Sequence, residues 1–149
     1  MKALFMSIVV AIMLPQVGQC QKKSVTLPVT SEKYTLTSFF EGKEFYTEFT
    51  EKDVSNTPSW NPENEKPPIS VSKALGESRK LLGKYVPNSN IWEIESIKYE
   101  MVGKDKWVYV IDFYLDRLST KDGNSATFSA VLKMDGTFFE PKVTALDKH

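Results

Sequence analysis

The segment from Lys104 to Arg117, KDKWVYVIDFYLDR, constrains the fold more than any other part of the chain. Successive side chains of a β-strand point to opposite faces of a sheet, so an apolar residue at every second position indicates one buried face. One face of this segment holds Trp107, Tyr109, Ile111, Phe113 and Leu115, and the other holds Val108, Val110, Asp112 and Tyr114. Such a strand needs cover on both sides, and a single helix covers only one of them.

The clearest helix signal lies upstream, in PPISVSKALGESRKLLGKYVPN. Ser70 is a suitable N-cap, and Pro87 with Asn88 ends the pattern. Apolar and small side chains recur at helical spacing on one stripe, at Val71, Ala74, Leu75, Ser78, Leu82 and Tyr85. Gly76 and Gly83 lower the intrinsic helicity, so we expect this helix to depend on packing against a sheet.

After the helix the apolar period changes from 3.6 to 2 residues. Residues 91–102 alternate, with a slip near Glu95 that is typical of a β-bulge, and residues 126–134 alternate again. Asp135 and Gly136 form a tight hairpin signal that returns the chain through TFFEPKV. The pattern predicts an α+β fold, in which one helix packs across a four-stranded antiparallel meander.

The region before the helix divides into two parts. Residues 21–50 carry alternating and aromatic stretches around a turn at Glu41-Gly42-Lys43, which predicts one additional N-terminal strand or a hairpin. Residues 51–68 contain four prolines and form a connector. Trp60 lies within this connector and is predicted to pack in a groove of its own domain. Stacking on a ligand is the alternative.

The second face of the central strand has two candidate covers. Within residues 39–49 the N-terminal half carries five aromatic residues, Phe39, Phe40, Phe45, Tyr46 and Phe49, which could fold over it or extend the sheet. Alternatively, a second copy of the chain or a foreign polypeptide lies on this face or adds a strand at an edge. Self-coverage is favoured, with an exposed remnant left for binding. The candidate binding residues are Val108, Val110, Asp112, Tyr114 and Trp60.

Residues 1–20 have the layout of a secretory signal peptide, with Lys2, an apolar run and small or polar residues up to Cys20. Cleavage after Cys20 would start the mature chain at Gln21, which indicates a periplasmic or extracellular location. The alternative is that Cys20 is the lipidated first residue of a lipoprotein. Gln19 fits that alternative poorly, because the peptidase prefers a small residue there.

The charge balance argues against a nucleic-acid footprint. Removing residues 1–20 takes away Lys2 and no acid, so 18 basic residues face 19 acidic ones. Cys20 is the only cysteine, so the mature chain has no disulfide and no thiolate metal site. Membrane attachment is expected only through a lipid on Cys20. The remaining 129 residues suffice for one core, so residues 21–149 are predicted to form a single domain.

Three segments resemble PepSY and PepSY-like domains of exported bacterial proteins. These are ISVSKAL at the helix start, the strand DKWVYVIDFYL, and the final FSAVLKMDGTFFEP, within residues 69–143. The segment TPSWNPENEKPPISVSKAL is also similar to small uncharacterised secreted proteins of environmental bacteria. The resemblance implies a cystatin-like architecture for residues 69–149 and restraint of a peptidase as one form of activity. It transfers no inhibitory motif and no individual site residue.

The residues for common catalytic sites are scarce. His149 is the only histidine and ends the chain, which disfavours nucleophile–histidine catalysis and histidine metal sites. Asp112 is the best remaining candidate, because its apolar neighbours could raise the pKa of its carboxyl. We favour the simpler interpretation that Asp112 pairs across the strands with Lys98 or Lys133. No catalytic residue, metal or cofactor is therefore predicted.

These observations favour an exported, non-enzymatic module that binds a polypeptide or a second copy of itself, with regulation of a peptidase as one form of that role. Two other function classes stay open. One is a small carboxylate-dependent enzyme using the second face. The other is a structural envelope protein anchored through Cys20.

Overall fold

The structure is a computed structural model that describes residues 32–116 and 125–146. The predicted signal peptide, Cys20 and His149 lie outside these residues. The described chain contains six strands, β1 (Lys33–Phe40), β2 (Lys43–Thr50), β3 (Glu93–Gly103), β4 (Lys106–Leu115), β5 (Ala126–Lys133) and β6 (Lys142–Ala145). It also contains a one-turn helix α1 (Glu51–Val54), the main helix α2 (Val71–Tyr85) and a 3-10 turn (Ser89–Ile91).

The strands form two antiparallel three-stranded sheets, with the orders β1-β2-β6 and β3-β4-β5. The α+β class is confirmed, and the additional N-terminal element is a hairpin of β1 and β2. Its turn places Glu41 and Gly42 at positive φ, as the predicted Glu41-Gly42-Lys43 turn requires. We call β1 and β2 together the N-terminal hairpin.

The predicted four-stranded meander is wrong in its last strand. After the turn at Gly136, the chain follows β5 only briefly: Leu132 and Phe138 form an isolated bridge, and the Phe139 N–H donates to the carbonyl of Val131. Pro141 lacks a backbone donor and follows directly. The chain then leaves β5, and β6 pairs with β2 in the other sheet.

Helix α2 begins as the sequence predicts, because the Ser70 side chain accepts a hydrogen bond from the Lys73 backbone N–H at 3.2 Å. It packs mainly on β5 and less on β4. The odd-numbered β4 side chains point toward it, and the buried ones are Tyr109, Ile111, Phe113 and Leu115. We call this side of the β3-β4-β5 sheet the helix face and the opposite side the hairpin face.

The N-terminal hairpin covers the hairpin face. Phe49 is only 1% exposed and lies between the rings of Tyr34 and Phe139, with centroid distances of 5.3 and 4.8 Å. These rings close a second apolar cluster whose buried members are Phe49, Val54, Val102, Val108, Val110 and Val131. Burying the valines in this way removes the apolar surface that the sequence left without a cover.

The same hairpin crosses the outer edge of β5. At one end, Phe45 contacts Phe128 at a centroid distance of 5.7 Å and joins the helix-face core. Midway, the Ser129 backbone N–H donates to the Ser38 hydroxyl at 2.9 Å. Self-coverage was therefore the correct alternative, although Phe39 is 49% exposed and belongs to neither core cluster.

Candidate functional site

The sequence-predicted binding residues Val108 and Val110 lie inside the fold. They are 0% and 3% exposed under the N-terminal hairpin. A partner would contact these two side chains only after the hairpin moved. A binding role for them stays a prediction, and the described surface offers other positions.

Asp112 is held by three donors on the hairpin face. The hydroxyls of Ser96 and Ser129 donate to its two carboxylate oxygens at 2.6 and 2.7 Å, and Lys98 Nζ lies 3.0 Å from Oδ2. Burial alone would raise the pKa of Asp112, but these hydrogen bonds and the charge of Lys98 outweigh it and hold that pKa below its ordinary value. The carboxylate stays ionised and joins β3, β4 and β5, as expected for the structural interpretation.

Trp60 packs within its own domain, and the groove-filling interpretation is confirmed. It is 6% exposed, its ring lies 4.7 Å from that of Tyr99 and 5.5 Å from that of Trp107, and its Nε1 donates to the carbonyl of Glu65. Tyr114, the remaining candidate, is partly exposed, and its hydroxyl lies 3.3 Å from that of Ser125. These residues do not converge on one pocket.

An open pocket of about 280 Å³ lies beside Trp60 and is lined by Ser59, Asn61, Glu65 and Asp105. In the two described ranges, no group of three or more His, Cys, Asp or Glu side chains is placed to hold a metal ion. In the same ranges, no helix has the length and apolar character needed to span a membrane.

The outer edge of β3 is an exposed strand edge that sequence reasoning did not single out. Among residues 32–116 and 125–146, β3 pairs with β4 alone. From Ser96 to Met101 the register with β4 is uninterrupted, with irregularities on both sides of this stretch. An edge strand presents alternate N–H and C=O groups that have no partner in the sheet. A regular run of six residues is therefore available for pairing.

Apolar side chains flank this run on the helix face. Ile94, Ile97 and Met101 are 41%, 36% and 58% exposed, and they lie in register with Phe113, Ile111 and Trp107 of β4. We call the backbone of residues 96–101 together with the side chains of Ile94, Ile97 and Met101 the β3 edge.

The position of α2 explains this exposure. Because α2 lies over β5 and β4, the helix-face core extends sideways beyond the helix and reaches the surface at β3. Arg79 marks the limit of the cover: its guanidinium lies 4.9 Å from the ring centroid of Phe113 and donates to the carbonyls of Ser89 and Trp92. Val71, the first residue of the same helix, is 37% exposed.

The opposite side of β3 carries charge. Glu93, Lys98 and Glu100 are exposed and lie in register with the even-numbered β4 residues Tyr114, Val110 and Val108. The hydrogen bond to Asp112, with added attraction from Glu100 and Glu95, raises the pKa of Lys98. Lys98 stays charged and forms an ion pair with Asp112 of its own chain. The glutamates of β3 therefore determine the sign of the charge along the β3 edge.

Comparison with family models, with curated proteins and with solved structures gave no match. The resemblance to PepSY domains therefore stays a prediction from the sequence.

Proposed function

We propose that this chain is an exported, non-enzymatic module that binds an extended polypeptide by adding it as a strand along the β3 edge. One observation carries the proposal: among residues 32–116 and 125–146, no strand pairs with the outer edge of the regular segment 96–101, and three exposed apolar side chains flank that segment. Backbone pairing supplies the affinity in such complexes, and alternate side-chain contacts supply the selectivity. Restraint of a peptidase, which the PepSY resemblance implies, would be one use of this surface.

The arrangement of Asp112 supports a binding role over the carboxylate-enzyme alternative. A general acid at neutral pH needs a raised pKa, whereas Ser96, Ser129 and Lys98 hold the pKa of Asp112 low. All three donors bind the carboxylate directly, so Asp112 of β4 is linked to both β3 and β5. Binding along β3 would leave this link intact.

The proposal is tested by titrating an acetylated, amidated octapeptide of alternating Thr and Val into the full-length protein, followed by two-dimensional NMR. We expect the largest shift changes at the amides of residues 94–101. The same peptide methylated on alternate backbone nitrogens is the control, because it keeps the side chains and loses the pairing donors. Shift changes spread over the other sheet, or equal binding of the methylated peptide, would contradict the proposal.

Met101→Gln tests the apolar part of the surface. Met101 is the most exposed of the three apolar side chains, so we expect this change to weaken octapeptide binding about threefold to tenfold without unfolding the protein. Leu146→Gln is the matched control, since Leu146 is 43% exposed and follows β6 in the other sheet. Equal effects of the two substitutions would show that the β3 edge is not where the peptide binds.

A further inference from the structure

We infer that the polypeptide bound at the β3 edge alternates apolar and basic residues. This inference rests on the proposed function and adds the chemistry of the partner. A strand added to β3 continues both faces of the sheet, so its side chains alternate between the helix face and the hairpin face. The two faces of β3 differ in chemistry, and each selects a different kind of side chain.

The helix face selects apolar side chains. A partner residue on this face would lie beside Ile97 or Met101, which are in register with Ile111 and Trp107 of β4. Tyr99 between them is fixed by its ring contact with Trp60 and by its hydroxyl, 3.2 Å from that of Tyr109. An apolar partner residue would therefore extend an existing core over a rigid support.

The hairpin face selects basic side chains. Glu93 and Glu100 are exposed on this side of β3, and Glu95 is the extra residue at the bulge. Burial, and then Glu32, Glu100 and Glu51, raise the pKa of Tyr34, so Glu100 is one of three acids that act on this ring of the N-terminal hairpin. Lys104 and Lys106 lie beyond the end of β3, so the basic residues of the partner are expected opposite residues 93–100.

Charge also disfavours a second copy as the occupant. β3 contains three glutamates and one lysine, and that lysine pairs with Asp112 in its own chain. Two β3 strands paired in parallel and in register would place each glutamate beside its own copy, which destabilises the pair. A basic strand placed in the same position would gain attraction from the same acids.

The test compares three capped octapeptides on the full-length protein, with alternating Lys and Val, Thr and Val, or Glu and Val. We expect the Lys-Val peptide to bind about tenfold tighter than the Glu-Val peptide, and we expect added salt to reduce this difference. The double variant Glu93→Gln/Glu100→Gln should reduce it about threefold or more. Glu44→Gln/Glu63→Gln, which removes two acids away from β3, should leave it unchanged.

Failure of the inferred partner class can be distinguished from failure of the proposed function. If the three peptides bind equally at residues 94–101, the partner class is wrong and the proposed function stands. If none of them binds there, both are wrong. Protection of the β3 amides that point away from β4 in the free protein would also overturn the inference. Protection that grows with protein concentration identifies a second copy, and protection that persists at high dilution identifies another part of this chain.

Discussion

The two edges of the β3-β4-β5 sheet are treated very differently. At β5 the chain closes the edge twice: the N-terminal hairpin supplies Ser38 to the Ser129 N–H, and the Phe139 N–H binds the carbonyl of Val131. At β3 the described chain leaves a regular segment open and protects it only with charges and a bulge. Open strand edges favour unwanted pairing between molecules. This contrast is the basis for the proposed binding of an extended polypeptide at β3.

The largest effect on stability is expected from removing part of the cover over the hairpin face. Phe49→Ala should lower the free energy of unfolding by about 3–5 kcal/mol, because Phe49 is almost fully buried between two rings and its removal leaves a cavity. Chemical denaturation measures the change. Phe39→Ala in the same hairpin should cost much less, since Phe39 is half exposed. Equal losses would mean that the hairpin does not cover the sheet.

The second largest effect on stability is expected at Asp112, which links all three strands of the sheet. Asp112→Asn should lower the free energy of unfolding by about 2 kcal/mol at neutral pH, because hydrogen bonds to a charged group are stronger than neutral ones. The pKa of Asp112 in the folded state lies below its ordinary value of 3.8. The carboxylate therefore contributes stability that is fully present above that value and is lost as the pH falls through the folded-state pKa.

Denaturation at a series of pH values measures this dependence. The difference in stability between wild type and Asp112→Asn should shrink as the pH falls below 3.8. Glu63→Gln in the exposed connector is the control and should show little difference at any pH. A difference that persisted unchanged in acid would show that the ionised carboxylate is not the stabilising species.

The smallest effect on stability is expected at the closed β5 edge. Ser38→Ala should lower the free energy of unfolding by about 1–2 kcal/mol, because it leaves the Ser129 N–H without its acceptor. Thr37→Ala, at an exposed neighbouring position, is the matched control. Amide exchange at Ser129 should accelerate in the first variant only. An unchanged exchange rate there would mean that Ser38 does not close this edge.

The sequence was most informative where periodicity decides the structure. The two apolar faces of β4 correctly required two covers, and Ser70 correctly marked the start of α2. Periodicity does not identify a strand's partner. The pairing of β6 with β2 was therefore missed, because these two strands are far apart in the chain. Pro141 was the available signal that the return strand would not continue along β5.

The candidate site could not be predicted for a related reason. The alternation of β3 indicates which side chains share a face, but it does not indicate where α2 lies across the sheet. Ile97 and Tyr99 are equivalent in the pattern, yet Trp60 covers Tyr99 and leaves Ile97 exposed. Val108 and Val110, which the pattern favoured for binding, lie under the hairpin instead.

Amide hydrogen exchange on the full-length protein, with and without the Lys-Val octapeptide, tests whether β3 offers a free edge for pairing. We expect Ser129 to be protected in both conditions, and we expect alternate amides of residues 96–101 to exchange quickly alone and slowly with the peptide. Slow exchange of all these amides without the peptide, or exchange that the peptide leaves unchanged, would contradict this expectation.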